Sequence, residues 1–167
     1  MSGYTLRTIA LMGATLTMGL ITGAFALYAH TVMPGLKTTD NRTFVGAFQA
    51  LDRAIINPWF MLGGFVGALG FTIAAVATNL HRPALPWIVA ALVLYLIAFI
   101  VTMAVNVPLN DALKAAGDPD RIKDLAHVRE RFNETRWAAW NLARTVASLA
   151  AFASLAWALV LHGRAAG

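Results

Sequence analysis

Four stretches of the chain carry no Asp, Glu, Lys or Arg: residues 8–29, 54–80, 83–110 and 145–161. A helix rises 1.5 Å per residue, so about 20 such residues cross a hydrocarbon layer of roughly 30 Å. The fourth stretch is short and becomes a full span by extension through residues 137–143, with Arg144 accepted inside it. The pattern predicts four membrane helices at about 6–30, 58–79, 86–108 and 135–161, an all-α antiparallel bundle in one domain, 1–167. Arg7 and the Ala24-Phe25-Ala26 sequence imitate a signal peptide, but the apolar run passes that site and reaches Ala29. A retained helix is expected. Gly19 and Gly23, Gly63 and Gly67, and Ala143, Ala147 and Ala151 stand four apart, which suits close helix approach in lipid. The turn at His81-Arg82-Pro83 makes helices two and three a hairpin.

The connections carry helical patterning of their own. Phe44, Phe48, Leu51 and Ile55 mark one greasy side of a helix that Asp40 or Asn41 would cap. Asp52 and Arg53 fall on another side, and the helix is expected to lie in the headgroup layer. Asn57-Pro58 reads as the cap and first residue of helix two. In the other long loop, Gly117 ends a short stretch and Asp118-Pro119-Asp120 repeats the cap-plus-proline start. Helix four is therefore expected to begin near Pro119 and project from the bilayer, with Asp124, Glu130, Arg131 and Glu134 solvated.

Composition agrees with a membrane setting. The chain is 59% apolar and 13% charged, with a mean hydropathy of +0.65. A soluble domain carries about 25% charged residues, and one this small cannot hide so much apolar surface. The absence of Cys excludes a disulfide-stapled module. All eight acids lie in the two long loops, which share one side of the bundle. Of the 13 Lys and Arg, nine share those loops, three lie on the opposite side and Arg144 lies within a span. The count points the loops to the cytoplasm, but their greater length leaves the density of positive charge nearly equal and sidedness undecided. Acids and bases interleave without a basic run, so no nucleic-acid site is expected.

The candidate chemistry lies inside the bundle. Tyr95, Phe99, Thr102, Asn106 and Asn110 share one face of helix three; Asn133, Trp137, Asn141, Arg144 and Ser148 share one face of helix four. Both faces become polar toward the loop-bearing end, where Tyr28 and His30 close helix one and Asn57 opens helix two. A charge at mid-depth costs at least ~2.5–3.5 kcal/mol and usually faces a bundle interior or wet cavity. Two readings of Arg144 stand side by side. It locks helices three and four by bonding the carbonyl freed by Pro108 together with Asn106 or Asn141, or it forms a site for an anion or enolate. Pro108 is expected to kink or end helix three. His30 and His127 share this end without ligand-spaced carboxylates, while His81 and His162 lie at the other, so no metal site is expected. Neither a phosphate-binding glycine loop nor a nucleophile elbow is present.

Val32-Met33-Pro34-Gly35-Leu36, Asn57-Pro58-Trp59-Phe60, Asn106-Val107-Pro108-Leu109-Asn110, and Trp137 to Arg144 with Trp140-Asn141 between follow one another in order. On these elements the chain resembles the anthrone oxygenase-like family of small four-helix membrane proteins over about residues 6–161. The resemblance implies an oxygenase that turns an anthrone methylene into a quinone carbonyl without metal, flavin or other cofactor. Such chemistry needs a base, donors for the enolate, and a dry pocket that admits O₂. His30 is the expected base, chosen on its chemistry rather than from a family motif. Arg144, Asn106 and Asn141 would hold the oxyanion. Trp137, Trp140 and Tyr95 would stack on the rings, with Tyr28, Asn57 and Asn110 completing the pocket. The expected partners are the lipid bilayer, that of a bacterial cell, and a hydrophobic aromatic or quinone-like small molecule. Homo-oligomerisation is left open. The alternative is a non-catalytic membrane protein that binds a lipid, a quinone or a protein partner.

Overall fold

The computed structural model describes residues 3–165. Four stretches are long and apolar enough to cross a membrane: α1 (Gly3–Lys37), α3 (Pro58–Thr78), α4 (Leu85–Ala115), and a fourth, Leu125–Arg164. The fourth divides at Asn133 into α5 (Leu125–Phe132) and α6 (Glu134–Arg164), and α2 (Asn41–Ile55) lies between α1 and α3. No strand occurs among the described residues. In the bundle α1 packs on α3 and α6, and α4 packs on the same two neighbours, so the four spans close a ring.

Helical spacing decides which side of each span turns inward. Leu11, Ala14, Met18 and Ile21 of α1 meet Ala68 and Ala75 of α3, Ile88, Ala91, Tyr95 and Ala98 of α4, and Ala151, Leu155 and Ala158 of α6. Leu16, Leu62, Ile100 and Val146 point outward as exposed apolar residues. A surface of that kind is stable against acyl chains and not against water.

Close approach depends on only some of the small residues singled out by spacing. A Cβ on Gly19 would meet Phe152 at 3.1 Å, and one on Gly13, which lies outside that four-residue pattern, would meet the Phe71 ring at 2.6 Å. Gly23 has nothing within 4 Å, and the nearest contact of Gly63 is Trp59 of its own helix. The large partner rings, not a second small residue, fill the space that these glycines leave.

The loop-bearing end departs most from the sequence expectations. Both α1 and α4 run further than predicted, α4 passing straight through Pro108 to Ala115. The turn Thr102–Asn106 just before it is a wider π turn, closed by the Val107 amide on the Thr102 carbonyl. Such a turn absorbs the missing proline donor without a break. Residues around Asp118-Pro119-Asp120 form a turn, and the following helix begins only at Leu125 under an Asp124 cap. Asn133 then takes a left-handed conformation (φ 54°) and caps α6 through the Arg136 amide. Asn tolerates this conformation better than most residues.

The α2 helix also differs from expectation. Asp40 caps it by accepting from the Thr43 amide at 3.0 Å, but the buried face is Phe44, Val45, Phe48, Gln49 and Asp52. Leu51, expected on the buried side, is exposed, and Asp52, expected on another side, is turned inward. This face packs on Leu113 of α4, Phe132 of α5 and Trp137 of α6 as a second core. Gln49 ties α2 down by donating to the Leu113 and Gly117 carbonyls. Arg129 does the same from α5, donating to the Thr39 and Lys37 carbonyls and lying over the Phe44 ring. Glu134 pairs with Arg129 in a half-buried position rather than standing solvated. Helices α2 and α5 thus cap the bundle.

Candidate functional site

Three π turns surround the space beneath this cap: Tyr28–Val32 in α1, Met61–Phe65 in α3 and Thr102–Asn106 in α4. Each inserts an extra residue into a helix and bulges the wall, a feature frequent at functional sites. Gly67 permits the second: a Cβ there would lie 2.0 Å from the Leu62 carbonyl oxygen.

A cavity of about 230 Å³ opens between the cap and the bundle. Its wall is aromatic, from Phe25, Tyr28, Phe48, Phe60, Phe65 and Trp137, and its polar groups come from Asp52, Thr102, Asn110 and Arg144. Ile56 and Met103 line it while being 60% and 51% exposed on the outer surface. The cavity therefore communicates with the apolar exterior of the bundle.

Arg144 lies in this wall with only 7% of its surface exposed. Its Nε donates to Asn141 Oδ1 at 3.0 Å, and Nη1 donates to Thr102 Oγ1 at 3.3 Å. The guanidinium carbon stands 4.3 Å from the Phe25 ring centroid and 5.2 Å from that of Trp137. Among the described residues the Nη2 group has no hydrogen-bond partner and no carboxylate pairs with this cation. Of the partners expected for a helix lock, Asn141 is present, while Asn106 and a carbonyl near Pro108 are not.

A second polar group enters from the cap. Asp52 Oδ1 accepts from Asn110 Nδ2 at 2.7 Å, and Oδ2 lies 2.8 Å from Lys114 Nζ. Lys114 also reaches Asp111 at 3.0 Å. Trp137 Nε1 donates to Asn110 Oδ1 at 2.7 Å, so one asparagine joins an indole of α6 to a carboxylate of α2. This network fixes the Trp137 ring, whose centroid lies 5.8 Å from that of Tyr28.

Four of the ten residues singled out from sequence line the cavity: Arg144, Tyr28, Asn110 and Trp137. Asn141 stands directly behind, with Nδ2 on the Phe25 carbonyl and Oδ1 on Arg144. Asn106 is buried and donates to the Trp137 carbonyl. Tyr95 is buried away from the cavity, its hydroxyl on the Phe65 carbonyl at 2.7 Å. Asn57 caps α3 by accepting from the Phe60 amide. Trp140 faces outward at 40% exposure. His30 is exposed, bonded to the neighbouring Thr31 hydroxyl, and outside the cavity wall. Asp52, Phe25 and Phe48 were not singled out. Asp52 follows Phe44 and Phe48 at intervals of four, so a helical reading that admitted polar residues would have found it. Among the described residues no group of three or more His, Asp or Glu is arranged to hold a metal ion.

The model of the anthrone oxygenase family matches residues 54–154. The chain belongs to this family. The matched segment holds three of the cavity's polar residues, Thr102, Asn110 and Arg144, and the indole of Trp137. It stops short of α1 and most of α2, so the family model does not reach the Tyr28 and Asp52 side of the cavity. Neither a curated protein nor a solved structure matches the chain.

Proposed function

We propose that the chain is an oxygenase of enolisable phenolic ketones of the anthrone type, working within the membrane and needing no cofactor. The observation that carries this reading is Arg144: a buried guanidinium on an aromatic cavity that forms an ion pair with no carboxylate among the described residues. A site built this way gains most from a ligand that brings the negative charge itself. An enolate or phenolate on a flat aromatic skeleton does so, its oxygen against Nη2 and its rings against Trp137, Phe48 and Tyr28.

Size and access support the same ligand class. An apolar cavity of roughly 150 Å³ admits one benzene ring. The present one, at about 230 Å³, suits a small fused-ring compound better than a two-tailed lipid. The outward exposure of Ile56 and Met103 offers such a compound a way in from the acyl layer, where it partitions. The dry aromatic wall strengthens the attraction between oxyanion and guanidinium and limits competing protonation by water.

The test is O₂ uptake by the detergent-purified protein with a panel of hydroxylated anthrones. One O₂ consumed per quinone formed is expected, with uptake lost in Arg144→Leu. Binding of the panel without uptake would assign the cavity to non-catalytic capture of a quinone or lipid. Absence of both binding and uptake in folded protein would remove the reading.

A further inference from the structure

We infer that Asp52 is the base that takes the proton from the bound substrate, an assignment that rests on the oxygenase reading above. It is the one carboxylate among the residues lining the cavity, and α2 brings it there from a cap outside the segment matched by the family model. The expected base, His30, is exposed and does not line the cavity. Of the other titratable groups in the wall, Tyr28 and Arg144, neither is a useful proton acceptor near neutral pH.

The surroundings of Asp52 fit the role. Asn110 fixes one oxygen at 2.7 Å, and Lys114 balances the charge from 2.8 Å. Asp52 and Arg144 enter from different layers, the carboxylate from the cap and the guanidinium from mid-bundle. Tyr28 lines the same cavity as both. A substrate held in that cavity therefore meets both a base and a cation. Those are the two groups needed to draw a proton from carbon and hold the electron pair that stays behind.

The chemistry balances on one carboxylate used twice. A methylene C–H breaks, Asp52 gains the proton, and the electron pair moves onto the ketone oxygen facing Arg144. The enolate carbon adds to O₂, forming a C–O bond, and the resulting peroxide takes the proton back from Asp52. Asp52 then removes the second methylene proton. The O–O bond breaks as the C=O forms, and the departing hydroxide takes that proton and leaves as water. The sum is R₂CH₂ plus O₂ giving R₂C=O plus H₂O.

Removal of the first proton is measurable without oxygen. Under argon in D₂O buffer, the wild-type protein should accelerate deuterium entry into the methylene of a hydroxylated anthrone. Asp52→Asn should lose that acceleration by about 100-fold or more, while still binding the matching quinone, read by tryptophan quenching. Asp52→Glu should retain part of it. Lys114→Met breaks the same ion pair but leaves the base, and should keep exchange within about tenfold of wild type. Wild-type exchange and O₂ uptake in Asp52→Asn would overturn the assignment while leaving the oxygenase reading intact. So would equal losses in Asp52→Asn and Lys114→Met, which indicate a purely structural pair. A folded wild type with neither exchange nor uptake removes both.

Discussion

Arg144 is solvated by what the bundle supplies: one amide oxygen, one hydroxyl and two ring faces. Cation–π contacts of this desolvated kind contribute up to about 2 kcal/mol, which helps to hold a charge that hydrocarbon alone would exclude. Hydrogen bonds to charged groups are worth about 1.5–3 kcal/mol. Arg144→Leu should therefore weaken binding of a phenolic quinone by about 10- to 100-fold in a tryptophan-quenching titration. Arg144→Lys keeps the charge but loses the planar fork, and should fall between the two. The Leu variant should still fold, since an apolar side chain suits the aromatic wall, at a cost of about 1–3 kcal/mol for the buried Asn141 oxygen left without its donor. At the rim, hydrogen bonds from the Thr43 hydroxyl and amide hold the Asp40 carboxyl below the usual carboxylate range. The folded-state depression means that the cap's contribution is full above the ordinary aspartate pKa and lost as pH falls through the lower, folded value. Asp40→Asn keeps the acceptor but removes this acid-dependent part. The melting temperature of the variant should fall less than that of wild type as pH drops below about 4.

At the scale of elements, the π turns and the glycines beside them set the cavity wall. Gly67→Ala puts a methyl into the Leu62 carbonyl and should cost about 1–3 kcal/mol, as overpacking does. Gly23→Ala meets open space and should change stability by less than about 0.5 kcal/mol. Denaturant unfolding in detergent micelles measures both. Much of this architecture was legible in the sequence. Long uncharged stretches located the spans, because lipid excludes charge more sharply than a soluble core does. A lone arginine inside a span located one wall of the cavity. The polar stripes of helices three and four located Asn110 and Trp137. What stayed hidden has a common physical cause. Asp52 was set on a side other than the buried one because its partners, Asn110 and Lys114, lie about 60 residues away, and a period counted on apolar residues alone discards a buried carboxylate. The break at Asn133 rests on one left-handed residue and its side-chain cap, which the apolar period does not register, and Pro108 is accommodated because a π turn precedes it. Tyr95 belongs to the same polar stripe as Asn110, yet its hydroxyl is spent on the Phe65 carbonyl, a bond that spacing cannot foresee.

For the whole molecule, the cavity lies between the four spans and their cap and reaches the apolar outer surface. Met103 lies where the cavity meets the outer surface. Met103→Trp should narrow that mouth and raise KM for a bulky anthrone several-fold with kcat little altered, in steady-state O₂ uptake. Unchanged KM would place the entry elsewhere, between cap and bundle. A side opening of this kind also determines what concentration means to the protein. On the proposed reading its ligand arrives dissolved in the surrounding amphiphile, so occupancy should follow the mole fraction in the micelle or bilayer rather than the amount per litre. Diluting a sample with extra detergent should then slow turnover at constant total substrate, and alkyl tails slim enough to enter beside Met103 and Ile56 should act as inhibitors in their own right.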